Sequence, residues 1–172
     1  ETSSTAMGMA ATGLDFGLAL FSAKDQIWDG RSWTALRATA DQMGMVGVSG
    51  LEAEVSNVEV SINRVDVALD VLPADEQVLD LQAQNYDVYT GLGDVITLSM
   101  DGGLGESLRA TGDFNLRVGG FVQAYGALGL EKSVREVELA NGKTVTTDAL
   151  LIGGTGLNAF VGVGGPYFVD SD

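Results

Sequence analysis

Leu51–Val71 reads LEAEVSN, VEVSINR, VDVALDV, three successive units of seven residues. Apolar residues hold the first, third and fifth places of each unit: Leu51, Ala53 and Val55, then Val58, Val60 and Ile62, then Val65, Val67 and Leu69. A helical heptad would place them at its first and fourth positions instead. Strict alternation is the mark of a strand with one buried face. The phase slips by one residue at Ser56-Asn57 and again at Asn63-Arg64. A slip turns every later side chain to the other face unless the chain turns or bulges there. Two readings fit: three short strands joined at corners, as in a solenoid coil, or one long bulged strand or meander.

The same alternation marks strands elsewhere, at Leu14–Phe21, Thr34–Thr39, Met43–Val48, Gln77–Gln82, Asp94–Met100, Phe114–Val118, Phe121–Leu130 and Asn158–Val163. Val134–Ala140 and Lys143–Ile152 flank Asn141-Gly142, a pair suited to the positive φ angles of a type I′ hairpin. Leu104–Ala110 suits a single helical turn, and no long helix is predicted. Abundant Gly, Val and Thr favour strands throughout.

Composition narrows the function. The 172 residues carry 24 acids against 9 bases, a formal charge of −15, with 45% hydrophobic residues and no histidine or cysteine. That size and apolar content support a folded core. Without histidine or cysteine there is no conventional zinc site, no Ser-His-Asp triad and no thiolate cluster. The acidity argues against nucleic acid, whose phosphates need Lys and Arg. No apolar run approaches the ~20 residues of a membrane helix, and no membrane insertion is expected. Glu1–Ala11 lacks the basic start of a signal peptide, as expected of a mature fragment or a slice of something longer.

The sequence also repeats itself. Thr-Gly-Leu occurs at 12–14, 90–92 and 155–157, each followed by an apolar run, and LRATAD at Leu36–Asp41 returns as LRATGD at Leu108–Asp113, offset by 72 residues. The predicted units are about 12–89, 90–154 and a partial third at 155–172. A chain ending midway through its own repeat is expected of a segment cut from a tandem array, where neighbours supply the missing pairing.

LRATGDFNLRVGGFVQAYGALGLEKS and VTTDALLIGGTGLNAFVGVGGPYFVDSD resemble the tandem β-rich repeat modules of very large secreted bacterial surface or adhesin-like proteins. In that family a D-x-D-x-D-G calcium loop often follows such an end, and here Asp170-Ser171-Asp172 matches its start. The resemblance implies an extracellular, adhesive or structural role without catalysis. It also implies calcium at Asp170 and Asp172, although the third acid and the glycine of the loop are missing. Set against this is a plain solvated acidic terminus.

Ser22–Trp33 gathers Trp28 and Trp33 with Asp25 and Asp29. Tryptophan beside carboxylates suits stacking on a sugar ring; the alternative is a hairpin loop pinned to the core by one tryptophan, a residue usually well buried. Among 24 acids, a pair at glycosidase spacing arises by chance, and the glycine-rich runs match no phosphate loop. The reading is therefore an all-β, elongated fold, β-solenoid-like or a stacked sandwich. Its expected function is structural, an end-to-end repeat of a surface stalk or filament, with a carbohydrate- or lipid-binding module as the alternative. The expected assembly edge is Leu157, Ala159, Val161 and Val163, free of charge and partnered by the Ala6–Phe21 end of the next copy.

Overall fold

The computed structural model describes residues 6–24, 30–66, 77–91 and 93–165. The protein is all-β there. Nine strands appear in order: β1 Gly8–Thr12, β2 Asp15–Ser22, β3 Ser32–Val46, β4 Leu51–Asp66, β5 Tyr86–Tyr89, β6 Val95–Leu98, β7 Ser107–Val118, β8 Val122–Glu138 and β9 Thr144–Val161. Seven form one antiparallel sheet in the order β1-β3-β4-β7-β8-β9, with β2 sharing the β1 edge beside β3; β5 and β6 form a separate antiparallel pair.

Leu51–Asp66 is one strand, so the corner reading fails over those residues. The first slip is real: the β4–β7 register shifts between Ser56 and Glu59, and Asn57 adopts φ 52. The second slip produces no bend. Val67–Val71 lies outside the described residues. Several other predicted pairs of strands prove continuous. The expected pairs Thr34–Thr39 with Met43–Val48, Phe121–Leu130 with Val134–Ala140, and Lys143–Ile152 with Asn158–Val163 fall, apart from a residue or two at their outer ends, in the single strands β3, β8 and β9. Gln77–Gln82 is not a strand; Leu81–Gln84 turns instead, with the Asp80 carboxylate accepting from the Gln82 and Ala83 amides. A short polar side chain that satisfies nearby backbone donors favours such a turn over a ladder. The helical turn expected over Leu104–Ala110 sits earlier, as a 3-10 turn at Gly102–Leu104, and residues 107–110 are already strand.

The β8–β9 hairpin forms where Asn-Gly predicts it, with different geometry. The Gly142 amide donates to the Leu139 carbonyl and the Leu139 amide to the Lys143 carbonyl. Gly142 has φ 76, and Asn57 is the one described non-glycine residue with positive φ. Asn141 therefore lacks the positive φ of a type I′ turn, and the loop is the three-residue kind closed by a left-handed glycine.

The buried core is small and lies on one face. Leu98, Leu81 and Ala35 are its buried members, ringed by Ala19, Phe21, Leu79, Val88 and Met100. The β5–β6 pair sits here on β2 and β3, with Phe21 meeting Tyr86 edge to face at 5.1 Å. Gly17 makes that approach possible: a Cβ there would stand 2.9 Å from Ile96 Cγ2.

Candidate functional site

Register sorts the sheet into two unlike faces. One cross-strand row runs Leu18, Leu36, Ile62, Leu108, Lys132, Leu150, and the row two residues away runs Phe16, Ala38, Val60, Ala110, Leu130, Ile152. Alternation sends the intervening residues to the other face: Gly17, Arg37, Ser61, Arg109, Glu131, Leu151, then Ala19, Ala35, Asn63, Ser107, Ser133, Ala149. The first face is apolar and uncovered among the described residues; Phe16 is 59% and Ile152 69% exposed. The second is polar, and β5–β6 covers part of it.

The polar face carries a ladder of ion pairs. Arg37 meets Glu59 at 3.0 Å, Arg109 meets Glu131 at 2.8 Å and Arg117 meets Glu52 at 3.2 Å. Arg37–Glu59 and Arg109–Glu131 are the same pair displaced by 72 residues. Glu131 also accepts from Ser133 Oγ at 2.9 Å and from Arg135. The Arg135 bond, then the Ser133 bond and the Arg109 charge, hold its carboxyl below the ordinary 4.5, against the upward push of burial. A carboxyl depressed in the folded state adds stability above its unfolded pKa, and that stability is lost as pH falls through the folded value. Glu131→Gln is expected to cost about 1 kcal/mol or less at neutral pH, because the arginines are half exposed. The difference from wild type should vanish well below pH 4.5. Urea melts of both proteins across the acid range check this; parallel curves would exclude the Glu131 contribution.

The bulges align. Thr12, Gln42, Ser56, Asp113, Ala127 and Thr155 are cross-strand partners in one unbroken row from edge to edge. Beside that row stand Gly13 (φ 58), Asn57 (φ 52) and Gly156 (φ 60). Two of the three Thr-Gly-Leu tripeptides thus hold left-handed kinks at the same level on opposite edges. The third, at residues 90–92, falls in the β5–β6 connection, where the Thr90 amide donates to the Asp94 carbonyl. The two LRAT segments flank β4, with Leu36 and Leu108 both opposite Ile62. Asn57 Nδ2 donates to Asp113 Oδ2 at 2.8 Å across the kink.

Two hollows follow this row. The larger, about 680 Å³, is lined by Arg109, Thr111, Asp113, Glu131, Leu151 and Thr155 among others. The smaller, about 360 Å³, belongs to the apolar side and is lined by Met9, Met43, Met45, Val55, Val58 and Phe114 among others.

Of the tryptophan loop, Trp33 alone among the four expected site residues is described. Trp33 is the second residue of β3, donates from Nε1 to the Gln77 carbonyl at 2.8 Å and lies 5.6 Å from the Arg31 guanidinium. This bond ties the segment at Gln77 to the start of β3, with Trp33 itself half-buried. Trp28, Asp25 and Asp29 lie outside the described residues, as do Asp170 and Asp172. Among the described residues no cluster of acids is placed to hold a metal. Of the expected edge, Leu157, Ala159 and Val161 lie on β9, with Leu157 and Val161 exposed, whereas Val163 lies just past the strand end. What sequence reading missed is the breadth of the apolar face; its signal was the period-two alternation that recurs in strand after strand. No family model, curated protein or solved structure matches the chain.

Proposed function

We propose that this chain is a structural repeat module that lengthens a β-sheet by edge-to-edge pairing with copies of itself or with neighbouring repeats. The observation that carries this reading is the agreement of the two lateral edges. Every neighbouring pair in the main sheet is antiparallel, so β1 and β2 at one edge run opposite to β9 at the other. Setting β9 of one copy beside β1–β2 of the next continues the alternation without a break. The kinked Thr12-Gly13 and Thr155-Gly156 then meet at one level. Both edges are poorly guarded: β9 carries one charge, Asp148, and Gly8–Ser22 carries one, Asp15. Unprotected edges of this kind recruit further strands.

The displacement of LRAT and of the Arg–Glu pair by 72 residues supports an elongated architecture built from repeats. The resemblance to secreted surface modules supports an extracellular setting in an adhesin, stalk or filament. Calcium held through Asp170 and Asp172 belongs to the same reading, and catalysis does not. A second reading, a lipid-binding module, draws on the hollow beneath Met43 and Phe114.

Head-to-tail contact of this kind is heterologous and grows filaments unless it closes. Light scattering across a salt series tests it. The apparent mass should rise as salt screens the −15 charge, with a Debye length of about 8 Å at physiological strength. Val161→Lys places a charge on the exposed edge and should weaken association about tenfold or more. A protein that stays monomeric at every salt concentration, or associates equally well with Val161→Lys, would refute the edge reading.

A further inference from the structure

We infer that the apolar face of the main sheet is an interface with a second copy of this chain, closing two single sheets into a two-layer sandwich. This surface is separate from the lateral edges. A sheet with one apolar face is stable only when another layer covers it. The small cover here, β5–β6, lies on the polar face instead. Across the strands the open face presents Phe16, Leu18, Ile62, Leu108, Leu150 and Ile152.

Area and charge argue for a second copy as the occupant. Six strand positions at about 4.8 Å spacing and the fifteen residues of β3 at about 3.4 Å each make a face of roughly 1,400 Å². Pairing two such faces buries on the order of 2,800 Å² in total, within the range of obligate homodimers. The charges on this face gather toward one end, at Arg64, Asp66, Lys132, Glu136, Glu138 and Asp148, and the Arg64–Asp66 pair is closed at 2.5 Å. The rows of Phe16 and Ile152 and of the Met hollow are uncharged. The face therefore carries a net −2 of the chain's −15, confined to that end, and most of the charge stays away from the proposed contact. Among the described residues no ring of basic residues borders the face to hold lipid headgroups, and sheets packed about 10 Å apart interdigitate side chains of this size.

Sedimentation equilibrium from low to high micromolar concentration, with X-ray scattering for shape, tests the pairing. Wild type should be dimeric, with a two-layer thickness. Ile62→Glu with Leu108→Glu, adjacent at the centre of the face, should raise the dimer Kd about 100-fold or more, as loss of a central apolar contact does. Ile62→Thr with Leu108→Thr keeps strand-forming residues and should weaken pairing while circular dichroism stays that of a folded sheet. Val161→Lys should leave this dimer intact. Face variants that leave the wild-type mass unchanged overturn the inference, as does a protein monomeric at every concentration. A monomer from which solvent extracts stoichiometric acyl lipid also overturns it. Association lost with Val161→Lys alone would sink the face and spare the edge; association lost with the face variants alone would do the reverse.

Discussion

Leu98→Ala is expected to destabilise the protein by about 3 kcal/mol, within the usual range for truncating a fully buried leucine. Leu98 has no exposed surface and sits at the centre of the core, against Ala35 and Leu81. That cluster fastens β5–β6 to the main sheet. A two-stranded ribbon has little stability of its own. The ribbon is four residues per strand, so the loss of its central anchor should be felt as undocking rather than as a collapsed cavity. Two readouts separate these outcomes. Urea unfolding should show a lower midpoint, with a reduced slope because less surface remains to be exposed. Limited proteolysis should cut first between residues 77 and 106. A midpoint within error of wild type, or cleavage elsewhere, would show that the ribbon is held by something other than Leu98.

The strands were legible in the sequence because alternation is a local property. The bulge at Ser56-Asn57 was legible for the same reason: the phase changes there and the backbone follows, with Asn57 left-handed. The slip at Asn63-Arg64 looked identical and means something else. Val58, Val60 and Ile62 lie on the open face, whereas Val65 lies on the face covered by β5–β6 and its flanking segments and is 7% exposed. The strand runs straight, and the covered side changes. Alternation records where apolar residues are but not which layer lies over them. Strand ends were misread at Glu131-Lys132-Ser133 and at Gly153–Gly156. The first run is polar because Glu131 and Ser133 join the arginine network inside β8. The second is glycine-rich because β9 kinks at Gly156 and continues. The match between the edges at Thr12 and Thr155 was hidden, since it depends on four strands placed between them.

Asn63→Asp is the substitution that tests the covered face, with an expected loss of about 3 kcal/mol at neutral pH from leaving a charge buried and unpaired. Asn63 is fully buried; its Nδ2 donates to the Leu79 carbonyl at 2.8 Å, and its Oδ1 has no partner among the described residues. An ionised aspartate there would lose the donor, face the Leu79 carbonyl with like polarity and receive no hydrogen bond in return. Burial raises the pKa of such a carboxyl above its unfolded value of about 3.9. The unfolded chain then releases the proton first, so the penalty grows as pH rises past that value. Below it the protonated carboxyl donates to Leu79 in place of the amide, and most of the loss should be recovered. Asn63→Leu is the control: it removes Oδ1 but strands the Leu79 carbonyl, so it should cost about 1–2 kcal/mol with no pH dependence of its own. Chemical denaturation of the three proteins from acid to neutral pH decides the matter. A deficit in Asn63→Asp that stays constant with pH would mean that water reaches this site, and that the segment around Leu79 does not seal the polar face of the sheet.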